Sequence, residues 1–144
     1  MRLLADEQEL RLSNSDLQSR VERVIERFFA LVSARDPNVL AEFAPGDDLI
    51  LVGSDDGEIA RGRAQIEAFF KRLYTRDSTF SWQMQRVDAF ADGDIAWFFA
   101  AGRMIVESPA GTKDLSYRIS GVLQRIGHHW LWKQYHGSEP VVLD

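Results

Sequence analysis

Apolar residues recur at helical spacing in the first half of this chain and alternate with polar ones in the second. Leu17, Val21, Val24, Ile25, Phe28, Leu31 and Val32 form one apolar stripe, and Ser15 with Gln18 fits a capping box at its start. Asp36-Pro37 stops that helix, because a residue before proline is pushed out of the helical region. The same pair can open a second, short helix, with Asp36 as cap, Pro37 at the first position, and Val39, Leu40 and Phe43 as the buried side. Leu49 to Gly53 reads as a short buried strand, Ser54-Asp55-Asp56-Gly57 as a turn, and Glu58 to Arg61 as the return strand. A third helix begins near Gly62 and carries Ile66, Phe69, Phe70, Leu73 and Tyr74 on one face.

From there on the pattern is that of strands. Phe80, Trp82 and Met84 alternate, then the apolar parity slips to Val87 and Ala89, which predicts a bulge and a bent sheet. Asp92-Gly93 signals a hairpin. Ile95 to Val106 is a long strand with Trp97 and Phe99 on one side and Phe98 on the other. Ser108-Pro109-Ala110-Gly111 turns the chain into Leu115 to Ile126, with Tyr117, Ile119 and Leu123 on one face and Arg118, Ser120 and Val122 on the other. The last strand, from His129, places Trp130, Trp132, Gln134, His136 and Ser138 on one face by period-two counting. That face is apolar at its start and hydrogen-bonding at its end, as a pocket wall is, or as a core-covering face that runs out to solvent is.

Helices followed by antiparallel hairpins give an α+β domain with helices on one face of a bent sheet. Residues 15–144 form that single domain, and residues 1–14, which mix Leu3, Leu4, Leu10 and Leu12 with acidic residues, form a short helix or a mobile arm before it. The chain has 144 residues, no cysteine and a formal net charge of -5. Disulfides, thiolate metal sites and a cysteine nucleophile are thereby excluded, and nucleic acid is not expected as a partner, since phosphate neutralisation needs a basic surface. No apolar run approaches the roughly 20 residues of a membrane span, so no membrane partner is expected and the cytoplasm is the expected compartment.

Several stretches together resemble the NTF2-like superfamily, and within it the SnoaL-like or ketosteroid-isomerase-like group. They are Gly62-Arg63-Ala64-Gln65-Ile66, Gly93-Asp94-Ile95-Ala96-Trp97, Tyr117-Arg118-Ile119-Ser120-Gly121-Val122-Leu123, and above all Trp130-x-Trp132-x-Gln134-x-His136-x-Ser138. The resemblance runs from residue 15 to residue 140 and implies a cone: a strongly curved sheet wrapped by the N-terminal helices around an internal pocket, paired as a homodimer through the convex sheet face. It does not fix a function, because one fold hosts many.

His136 is the candidate acid/base group, histidine being the residue type most often used for that work; the plain reading is a histidine bonded to a neighbouring strand. Arg118, mid-strand among apolar residues, suits a ligand carboxylate or an internal ion pair, and the resemblance tilts it toward the pocket. Isomerase chemistry of the ketosteroid type needs a carboxylate base with tyrosine and protonated aspartate donors. Asp55 and Asp56 fall in a turn, Asp88 and Asp94 flank a hairpin, and Tyr117 lies opposite Arg118, so that chemistry is not assigned. His128, His129 and His136 have no metal-ligand spacing, and neither metal nor cofactor is expected.

The first expectation is therefore a homodimeric protein that binds a small apolar carbonyl compound. Phe28, Trp82, Trp97 and Trp132 would form the wall; Arg118, Gln134 and Ser138 would orient the ligand; and His136 would carry protons if an isomerase, cyclase or hydratase step occurs. The competing expectation is a non-catalytic dimerisation module with a vestigial cavity and a working convex face.

Overall fold

The computed structural model describes residues 2–143, with side chains from Asn14 onward. Helix α1 spans Arg2–Ser33. It therefore begins well before Ser15, which lies inside it rather than at its start. No proline or glycine interrupts residues 2–33, so nothing in that stretch forces a break and the capping-box pair is carried through the helix. Val21, Ile25, Phe28 and Val32 are buried as the stripe requires, and Phe29 beside them is buried too. Gln18, one turn into the packed part, donates from its side-chain amide to the carbonyl of Val87 and so ties the helix to the sheet.

A 3-10 turn over Pro37–Glu42 follows, capped by the Asp36 carboxylate, which accepts from the Asn38 amide at 2.8 Å. Val39 and Phe43 are buried here. Glu42 is buried as well, at 6% exposure, and the Arg27 guanidinium grips it by two bonds of 2.7 and 2.8 Å. A buried carboxylate is tolerable only with such a partner.

Strands β1 (Ile50–Val52) and β2 (Ile59–Arg61) make the expected hairpin, and helix α2 spans Gly62–Leu73 with Ile66 and Phe70 inward. The four long strands are β3 (Thr79–Asp92), β4 (Ile95–Ser108), β5 (Gly111–Ile126) and β6 (His129–Ser138). All six form one open, curved sheet in the order β2-β1-β6-β5-β4-β3, antiparallel except where β1 runs parallel to β6. The helices cover its concave side, which completes the α+β cone.

Two bulges shape the sheet. The first lies in β3, where the register shifts between Met84 and Arg86, at the parity slip visible in the sequence. Gly102 of β4 sits opposite; a Cβ there would run into the backbone of Gln83. The second lies in β6: Val122 pairs with Gln134 but Leu123 with Trp132, so Lys133 is the extra residue. Its ammonium group reaches the Asp48 carboxylate at 2.6 Å, and the Trp132 carbonyl accepts from the Ala44 amide at 2.8 Å. Because side chains alternate with period two, one extra residue turns everything after it to the other face. Trp130 and Trp132 point inward before the bulge; Tyr135 and Gly137 point inward after it. No helix among the described residues is long and apolar enough to cross a membrane.

Candidate functional site

Aromatic side chains from every layer converge on the concave side. Phe28 lies 4.9 Å from Trp132 and 5.3 Å from Tyr135, ring centre to ring centre, and Trp82 of β3 stacks on Phe29 at 4.4 Å. Among them is a cavity of about 80 Å³, lined by Phe28, Phe29, Phe70, Phe80, Trp82, Met104 and the two inward tyrosines, Tyr117 and Tyr135. By volume that is room for about three water molecules at liquid density. Ser54, Asp55 and Glu58 of the β1–β2 hairpin and Arg76 after α2 line it as well.

The tyrosine hydroxyls of β5 and β6 meet at 2.7 Å. They share one hydrogen bond between two O–H groups, which leaves one hydroxyl proton over for an acceptor. Gly137 makes this pairing feasible: a Cβ at that position would collide with the Tyr117 hydroxyl and come within 2.8 Å of that of Tyr135. Burial pushes the Tyr117 phenol up to about 12, helped by the negative charges of Glu139, Glu58 and Asp55 and opposed by its bond with Tyr135. Burial, together with its tyrosine neighbour and Glu58, raises Tyr135 well above the ordinary value too. Both are therefore neutral donors at physiological pH.

Glu58 accepts from the Asp55 amide at 2.9 Å and covers Gly53, where a Cβ would meet its carboxylate at 2.8 Å. Arg76 approaches Asp55 at 3.7 Å and Glu58 at 3.6 Å, and its own carbonyl accepts from Arg35 at 2.7 Å. The indole N–H groups of Trp82 and Trp132 are buried without a hydrogen-bond partner.

Of the residues singled out by sequence, Phe28 and Trp82 line this cavity. Trp132 does not; it is fully buried and packs on Phe28, Phe98 and Tyr135. The other five lie on the opposite, convex face. The β6 bulge turns Gln134, His136 and Ser138 outward, where they stand beside Val122, Ser120 and Arg118 of β5. Arg118 projects from the face opposite Tyr117, as its parity requires, and is exposed. Trp97 is 45% exposed and stacks on Phe90 at 6.2 Å. His136 therefore does not reach the cavity, and the shared face proposed for Trp130 through Ser138 does not exist. What the sequence reading missed is the set Tyr117, Tyr135, Asp55, Glu58 and Arg76. Tyr117 alone carried a signal, since it shares parity with Ile119 and Leu123. Among the described residues no cluster of histidine and carboxylate side chains converges to hold a metal ion.

Residues 21–142 match the SnoaL-like domain. The chain belongs to the SnoaL-like family. Its fold is that of NTF2-like proteins of known structure. A proposed dehydratase of the NTF2-like family from Streptomyces avermitilis superposes with a TM-score of 0.79 at 12% identity, over 90% of this chain and 99% of the other. An NTF2-like protein of unknown function from Pseudomonas putida gives 0.72 at 18%, over 90% and 91%. A proposed scytalone dehydratase from Novosphingobium aromaticivorans gives 0.73 at 13%, over 95% and 89%. At these identities the likeness is one of fold. No curated protein matches the chain.

Proposed function

We propose that this SnoaL-like protein binds a small, flat, largely apolar molecule carrying a carbonyl or hydroxyl oxygen, with that oxygen on the Tyr117–Tyr135 pair. The observation behind this reading is the pair itself. Two phenols buried against aromatic rings serve a merely filled core no better than two phenylalanines would, and the glycine at position 137 leaves the room they need. Binding is favoured over turnover. The imidazole expected to move protons faces away from the cavity, and the phenols that do line it hold their protons far above neutral pH. The fold-level resemblance to proposed dehydratases is compatible with either.

Titration with acetophenone and phenethyl alcohol, followed by tryptophan fluorescence and calorimetry, tests the reading. Both bind the wild type, and Tyr135→Phe weakens binding by about 2- to 10-fold, the worth of one hydrogen bond. A folded wild type that binds neither these two compounds nor the charged analogue phenethylammonium removes the proposal.

A second reading concerns the other side of the sheet. Phe90, Ile95, Trp97, Phe99 and Ile126 are all exposed on β3, β4 and β5, an apolar concentration that soluble monomers seldom leave uncovered. A second copy of this chain is the proposed cover, giving a homodimer with the cavities facing outward. Trp97→Asp should then convert a dimer to a monomer in sedimentation velocity; a wild type that is monomeric at high concentration excludes it.

A further inference from the structure

The binding reading leaves open what charge the ligand carries, and the walls of the cavity bear on that. Asp55 and Glu58 both line it, and Glu139 stands close by, accepting from the Ser54 hydroxyl at 3.2 Å. Against these carboxylates the lining sets one cation, Arg76, with Arg35 next to it, donating to the Arg76 carbonyl at 2.7 Å. The side-chain contacts of Arg76, at 3.6 and 3.7 Å, lie beyond hydrogen-bond length, whereas Arg27 holds Glu42 at 2.7 and 2.8 Å and Arg103 holds Asp114 at 2.8 Å. In the lining itself two carboxylates face one guanidinium, and with Glu139 and Arg35 added three face two, so one negative charge is in excess at the polar rim either way. The apolar part of the wall is largely aromatic. The rings of Phe28, Phe70, Phe80, Trp82, Tyr117 and Tyr135 line the space, and a ring attracts a cation wherever it turns its face toward it.

We propose that the ligand is an organic cation: an aromatic or similarly apolar body inside the cavity, with an ammonium group seated against Glu58 and Asp55. This deepens the binding reading and depends on it. A carboxylate-bearing ligand would meet an excess of like charge at the rim. A neutral ligand would gain the apolar contacts and the tyrosine bond alone. An ammonium ion gains the carboxylates as well, with a cation–π contact to any ring that turns its face to it, and it competes with Arg76 where that residue holds only long contacts. The hydroxyl proton left over by the tyrosine pair then suits an oxygen elsewhere on the same molecule.

Three near-isosteric probes separate the cases: phenethylammonium, phenethyl alcohol and hydrocinnamate, titrated calorimetrically near pH 7 in low salt and again in high salt. The cation is expected to bind about 10-fold more tightly than the alcohol, with hydrocinnamate the weakest. Raising the salt from about 20 mM to about 300 mM should shrink the advantage of the cation several-fold and leave the alcohol unaffected. Glu58→Gln should lower the cation-to-alcohol ratio. Glu139→Gln, at a position outside the cavity lining, should lower it less, and serves if the first variant does not fold. An alcohol that binds as tightly as the cation, or a ratio indifferent to salt, overturns the cationic ligand while the cavity reading stands. Failure of all three probes overturns both.

Discussion

Replacing Gly137 by alanine puts a methyl group where the Tyr117 hydroxyl now lies. The added Cβ would also come within 2.8 Å of the Tyr117 ring carbon that bears the hydroxyl, and within 2.8 Å of the Tyr135 oxygen. Gly137 is an inward position of β6 paired with Ile119, so the strand cannot simply tip outward to relieve the contact. Tyr117 must rotate or β6 must shift. Overpacking of this kind costs about 1–3 kcal/mol, and separating the two hydroxyls costs about 1 kcal/mol more. Gly137→Ala should therefore destabilise by about 2–4 kcal/mol. Tyr117→Phe alone should cost about 1–2 kcal/mol, because it leaves the Tyr135 hydroxyl buried without its partner. The double variant is the informative one. Removing the Tyr117 oxygen removes the worst collision but not the ring carbon, so relief is partial, and the double should cost about 1 kcal/mol less than the two singles together. Urea denaturation of the four proteins, with unchanged slopes to show that the same transition is compared, gives the cycle. Additivity within about 0.3 kcal/mol would mean that alanine at 137 does not press on the tyrosine, and the account of that glycine would fail.

Two further outcomes follow from the same geometry. Arg27→Ala strands the buried Glu42 carboxylate; since Arg27 itself is 61% exposed and water can partly replace it, the cost in urea should be about 1–2 kcal/mol, and Glu42→Gln beside it should recover part of that. All three tyrosines are raised: Tyr117 and Tyr135 chiefly by burial, and Tyr74 to about 12 by burial first and then by Asp36. A folded phenol that keeps its proton more tightly than the unfolded one contributes stability in full below about pH 10, and loses it as pH rises toward about 12. Phenolate absorbance should thus appear only above the ordinary tyrosine range and together with unfolding; for Tyr117 the loss amounts to about 2–3 kcal/mol. Phenolate appearing near pH 10 with native circular dichroism would contradict it.

Most elements were legible because their apolar markers are unambiguous. The α1 stripe, the Asp36-Pro37 boundary, the β1–β2 turn and the bulge in β3 all appear in the chain where the sequence predicts them. The β3 bulge betrayed itself because the apolar residues on either side, Met84 and Val87, are of opposite parity. The β6 bulge did not. Beyond Trp132 the chain reads Lys133-Gln134-Tyr135-His136, side chains polar enough at their tips to stand on either face, so no hydrophobic marker recorded the slip. Counting straight through from Trp132 then turned His136 inward and Tyr135 outward. Arg118 went astray differently. Its parity was read correctly as opposite to Tyr117, Ile119 and Leu123, but the family resemblance drew it into the pocket against that parity. Asp55 was read as a solvated turn carboxylate, and about half of that reading holds, since it is exposed while lining the rim of the cavity. Which turn folds over which cavity is a tertiary fact that local pattern does not carry.

The extra residue at Lys133 also bears on how this chain should be matched to its relatives. Its presence costs β6 one unpaired position but leaves Trp132 facing inward on one side and Tyr135 facing inward on the other. A relative one codon shorter at this point would keep the same interior wall, because the shortened strand would alternate without interruption from the tryptophan to the tyrosine. The number of residues between these two positions is thus free to drift while their orientation is not. Equivalences beyond Trp132 must be counted back from Gly137 instead of forward from the tryptophans. A gap-free match that runs through Lys133 would assign the role of an inward side chain to an outward one, with every residue name still in agreement.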